Sequence, residues 1–153
     1  MSEVSTLFDE PTDWLAQLPS YQRDLIDMML AGGNTEEAAT VHWLTANTLN
    51  LAPFGGEARG RSLFVQKFNE EIHAFVCSDD RYGKERSEVL KQFSMGQTSS
   101  VTGISLALAG PLSAAGPFLA PAVALTLVTI GKLGLNAWCA AIRERDGETT
   151  RND

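Results

Sequence analysis

Two histidines and two cysteines set the limit on what chemistry this chain can do. Glu70 and His73 read E-x-x-H, a spacing that puts a carboxylate and an imidazole on one helix face, as in carboxylate-bridged two-metal sites of helical bundles. Such a site needs a second pair and two further glutamates. The other histidine, His42, has its nearest preceding acid, Glu37, five residues away, off the required face. The expectation is a solvated helix face and no metal. Cys77 lies four residues after His73, so a Cys-His contact is geometrically possible, but no carboxylate is placed to orient the imidazole. There is no G-x-S-x-G and no G-x-x-x-x-G-K-[ST]; Gly55, Gly56 and Gly60 belong to a loop. No catalytic residue, cofactor or small-molecule substrate is expected, and the reading is non-enzymatic. Cys77 and Cys139 match no metal spacing and are read as two buried thiols in a reducing compartment.

The segment LIDMMLAGGNTEEAATVHWL resembles the first half of a helix-turn-helix. A recognition helix would follow with basic or amide side chains. The residues that follow, TANTLNLAPFGG, hold no Lys or Arg. A formal net charge of −7, from 12 basic and 19 acidic residues, argues against nucleic acid as a general partner.

The elements that would position these residues read as helices throughout, with no convincing period-2 alternation. The expected fold is an all-α compact bundle with a C-terminal hydrophobic helical hairpin. The chain divides into soluble amphipathic helices over 1–95, an uncharged hairpin over 96–145 and a charged tail over 146–153. In the first part, Pro19-Ser20 opens a helix that Gly32-Gly33 ends. Asn34 with Glu37 then resembles a capping box for a helix to about Leu49. The clearest amphipathic helix runs from about Gly60 to Cys77. Leu63, Phe64, Phe68, Ile72 and Phe75 form its apolar stripe; Lys67, Glu70 and Glu71 lie at its edges or off it. A further helix covers about Lys84 to Met95.

From Gln92 to Gly131 the chain runs 40 residues without a charged side chain. Thr98 to Ala109 reads as one helix; Gly110-Pro111 and Gly116-Pro117 read as breaks; Pro121 to about Arg143 reads as a second helix. Leu119, Val123, Leu127 and Ile130 are expected to be buried, in lipid or in an interface. Ala124 and Gly131 are expected at close helix contacts. Lys132 and Trp138 are expected at a polar boundary. Leu112 to Gly131 supplies 20 uncharged residues, the length a membrane span needs. In outline the pattern is similar to pore-forming proteins that keep a hydrophobic hairpin inside a shell of amphipathic helices, although no motif carries a family assignment.

The primary expectation is membrane insertion or anchoring through the hairpin. The alternative is a soluble helical subunit that buries it in a homo-oligomer or a larger protein complex; a helix-turn-helix DNA-binding module is third. The acidic N-terminus shows neither a basic nor an apolar leader segment, so the expected location is cytoplasmic, inner-membrane associated through the C-terminal segment.

Overall fold

A computed structural model describes residues 4–9, 12–45, 57–78, 80–96 and 99–142. The described residues are all-α, as expected. Two 3-10 turns, Val4–Phe8 and Trp14–Gln17, precede six helices: α1 (Ser20–Ala31), α2 (Glu36–Thr45), α3 (Glu57–Cys77), α4 (Gly83–Ser94), α5 (Ser100–Leu112) and α6 (Gly116–Leu133). A last helix, α7, covers 135–142.

Local chemistry accounts for most boundaries. α1 ends where Gly33 takes φ +101°, a left-handed conformation that glycine adopts at little cost. The residue that caps α2 is Thr35, whose Oγ1 accepts the Ala38 N–H at 3.1 Å. Asn34, the expected cap, instead donates from its side-chain amide to the Met29 carbonyl and closes the preceding turn. The expected extension of α2 from Thr45 to Leu49 lies outside the described residues.

α6 sits at the centre. Every residue from Leu119 to Ile130 is buried except the half-buried Val128, and α2, α5, α1 and the 14–17 turn surround it. Over α5 and α6 the apolar residues do not form a narrow stripe, and burial on all sides is the arrangement such a helix requires in water. α5 and α6 meet through a three-residue turn, 113–115, with Ser113 in the left-handed region at φ 52°. They are not a separable hairpin, because α6 packs at least as extensively on α2 as on α5.

The two proline breaks resolve differently from the sequence reading. Pro111 is taken into the last turn of α5, and Pro117 occupies the first turn of α6. Pro121 lies inside α6. It has no N–H for the Pro117 carbonyl, a deficit that ordinarily kinks or ends a helix. Here the buried Gln22 side-chain amide donates to that carbonyl at 2.9 Å. The Trp43 indole N–H likewise donates to the Phe118 carbonyl at 2.7 Å. α6 therefore starts about five residues earlier than expected. It also stops at Leu133, because Gly134 takes φ +92° and separates it from α7.

Candidate functional site

The uncharged segment is the feature that composition singles out. Leu119, Val123, Ala124, Leu127 and Ile130 are all fully buried, inside this chain rather than on its surface. Gly131 is exposed, and a methyl group added to it would meet nothing within 4 Å, so it makes no close helix contact. The glycines that do are Gly103 and Gly116. A Cβ on Gly103 would lie 2.9 Å from Val89 Cγ2, and one on Gly116 would lie 3.0 Å from Leu106 Cδ2. Gly103 thus lets α4 and α5 approach. The sequence carries a signal for it, since Gly103 interrupts an otherwise good helical run, but not the identity of the facing element.

The two expected boundary residues also move. Trp138 is buried on α7, its ring 6.1 Å from that of His73. Lys132, in the last turn of α6, is exposed and donates to Glu36 Oε2 at 2.8 Å. The Lys132 ammonium holds the Glu36 carboxyl below the ordinary carboxylate range, against an opposing effect of burial. Both partners are placed well for the helix dipoles, a carboxylate in the first turn of α2 and an ammonium in the last turn of α6.

What burial does not explain is the outward face. Between residues 100 and 131 the exposed positions are Thr102, Leu106, Gly110, Pro111, Ser113, Ala115, Pro117 and Gly131, and none carries a charge. The exposed positions of α4, by contrast, include Lys84, Glu85, Glu88 and Lys91. A core helix needs apolar residues only where it faces the core; its wet face ordinarily carries charge. Leu106 is 62% exposed. Beside it α4 and α5 leave an open cavity of about 620 Å³ lined by Val89, Gly103, Leu106 and Ala107 together with Lys84, Glu85 and Glu88. A second exposed apolar row, Tyr21, Leu25 and Met28, lies on α1 at helical spacing.

The residues with chemical potential are used structurally. Glu70 faces Lys67 and Gln66 on its own helix. The His73 ring lies tilted against that of Trp138. Among the described residues no group of three or more His, Cys, Asp or Glu is arranged to hold a metal ion. Glu71, read from the sequence as off the apolar stripe, is buried and accepts hydrogen bonds from the Tyr82 hydroxyl and from Arg81, with Lys67 at 3.5 Å. Burial alone would raise its carboxyl, but the Tyr82 hydrogen bond, Arg81 and Lys67 outweigh burial and hold it below the ordinary range. Tyr82 is pushed the other way, by its own burial and then by Glu71. Next to this cluster, the buried Arg86 donates to the carbonyls of Ala74, Phe75, Ser78 and Arg81 at 2.6–3.2 Å. It caps the C-terminal end of α3, where carbonyls lack helical partners.

Cys77 and Cys139 form a disulfide with Cα atoms 6.0 Å apart, within the usual range for such a bond. This corrects the expectation of two free thiols. The expectation failed because a pairing across 62 residues depends on α3 meeting α7, which periodicity cannot reveal. No protein-family model, curated protein or solved structure matches this chain.

Proposed function

We propose that this is a non-enzymatic helical protein that associates with a membrane through its uncharged segment, in a state distinct from the compact one described above. The observation that carries this reading is the uncharged outer face of 100–131. Burial within the chain accounts for Leu119, Val123 and Leu127; a second nonaqueous environment accounts for an exposed face that carries no charge and presents Leu106. α6 is long and apolar enough to cross a membrane by length and composition, although two thirds of it is buried in the compact form. Its 18 residues span about 27 Å at 1.5 Å per residue, against a hydrocarbon thickness of about 30 Å. Association through the C-terminal segment belongs to the same proposal; the expected cytoplasmic location does not, because the Cys77–Cys139 disulfide marks an oxidising compartment rather than a reducing one.

A second reading is favoured by the α4–α5 cavity and the exposed Tyr21, Leu25 and Met28 row. In it the bare face docks on another protein or on a second copy, and the chain is a soluble subunit.

The two readings separate in one experiment. Protein expressed at native level is released by lysis without detergent, sedimented and washed with carbonate. The membrane reading expects it in the washed pellet, and expects Leu106→Lys to release it. A charged side chain at membrane depth costs about 3 kcal/mol on insertion scales, near a hundredfold in partition. Wild type wholly in the supernatant as one defined oligomer overturns the membrane reading in favour of the second.

A further inference from the structure

The disulfide closes a long loop between two elements that the rest of the fold holds unequally. Cys77 is the last residue of α3, and Cys139 lies on α7, beyond the Gly134 break. The closed loop contains α4, α5 and α6 entire. Its two ends are held very differently. On one side the end of α3 is fixed by the four carbonyl bonds of Arg86 and by the Glu71–Tyr82–Arg81 cluster. On the other, α7 follows a glycine at φ +92° and is held by the buried side chains of Trp138 and Ile142 together with the bond itself. The Lys132–Glu36 pair at the end of α6 has a Lys side chain 64% exposed, and exposed pairs of this kind contribute little. The bond therefore joins a hydrogen-bonded corner to a short helix after α6 that apolar burial holds.

We infer that Cys77–Cys139 is a thiol-controlled latch on that segment, opened by a dithiol reductant. The inference rests on the membrane reading only for what the released segment then does. The half-buried Cys77 is the accessible partner and Cys139 is buried, so the incoming thiolate attacks Cys77. A mixed disulfide forms at Cys77, the S–S bond breaks, and Cys139 leaves as a thiolate that takes a proton from water. The second thiolate of the reductant then attacks the mixed disulfide, leaves as its own disulfide, and frees Cys77. Two electrons pass from the dithiol to the cystine. With the bond open, only the backbone ties α6 and α7 covalently to the α3 corner, and burial holds them together with the Gln22 and Trp43 bonds to the start of α6 and the exposed Lys132–Glu36 pair. Burial is non-directional, so another apolar medium can substitute for it.

The test uses the full-length protein in three forms: oxidised, reduced with dithiothreitol, and Cys139→Ser. Two readouts are taken on each. One is amide hydrogen exchange across α6 and α7, with α3 and α4 as internal reference. The other is flotation with vesicles of phosphatidylglycerol and phosphatidylcholine. Opening the bond is expected to speed exchange in α6 and α7 at least about tenfold while α3 and α4 keep their protection, reversibly on reoxidation. It is also expected to convert a non-floating protein into a floating one. Faster local exchange without flotation supports the latch and counts against the membrane reading. Equal flotation of oxidised and reduced forms overturns the latch and keeps the membrane reading. Exchange that rises equally in every helix, or in none, overturns the latch. Should Cys139→Ser fail to fold, the reversible reduction of wild type decides alone.

Discussion

The α3–α4 corner and the α5–α6 pair lie side by side and are held by opposite means. At the corner a buried guanidinium saturates four carbonyls and a buried carboxylate takes bonds from a phenol and a second guanidinium. These contacts are directional, and each partner left alone is costly. The α5–α6 pair has fewer contacts of that kind, and they sit at its helix starts, where Gln17, Gln22 and Trp43 bond Ser100, Val101 and the Pro117 and Phe118 carbonyls. Farther along, Ser105, Thr126 and Thr129 return their hydroxyls to carbonyls four residues back in their own helices. The corner can exist only in this fold. Beyond its helix starts the pair is held mainly by apolar burial, which is non-directional.

The comparison can be broken or sharpened in several ways. The largest effect is expected from Val123→Asp, which places a carboxylate in a fully buried site. It should cost on the order of 5 kcal/mol and leave no folded protein in plain buffer, visible as lost helical circular dichroism. A substitution there cannot by itself report on membrane association, because folding fails first; Leu106→Lys on the outer face can. Reduction of Cys77–Cys139 comes next. A 62-residue separation corresponds to about 4 kcal/mol of loop-closure entropy in the chain-entropy treatment, measurable as a lower denaturant midpoint. Arg86→Ala should cost about 3 kcal/mol by leaving several carbonyls at the end of α3 without a donor. Faster hydrogen exchange near Cys77 would locate that loss.

A smaller effect is expected from pH. The folded Glu71 carboxyl is held below its unfolded value. The unfolded state therefore binds more protons as pH falls, and the contribution of Glu71, present above the unfolded value near 4.3, is lost as pH drops through the folded one. Glu71→Gln should flatten the decline in stability between about pH 5 and pH 3, read as denaturation midpoints across that range. An unchanged slope would show that Glu71 does not govern it. The smallest stability effect belongs to Leu106→Lys, under about 0.5 kcal/mol for an exposed site. A large loss of stability there would mean that the α5 outer face is already covered in the folded protein.

Much of the fold was legible because its signals are local. Of the apolar stripe Leu63, Phe64, Phe68, Ile72 and Phe75, all but the exposed Leu63 are buried as the spacing required. The stops at Gly32-Gly33 and Gly96, whose φ is +80°, follow from glycine's freedom in the left-handed region. Less was legible in the candidate site. Gly131 has the same composition signal as Gly103, and only the neighbour at Val89 distinguishes them. Glu71 resembles any surface glutamate until Tyr82 and Arg81 are brought to it.

The sequence by itself determined that the described residues are helical, that 92–131 carries no charge, and which residues of that run are apolar enough to hide. Those properties follow from hydration and from helix geometry, which act on each segment alone. Only the tertiary structure decided that α6 continues through Pro121, that α2 shares its covering with α5, and that Cys77 meets Cys139. Each of these depends on a group distant in the chain. Gln22 supplies the donor that the Pro117 carbonyl lacks, 95 residues away, and the covalent pairing spans 62. A local pattern cannot encode a partner that only folding brings within reach.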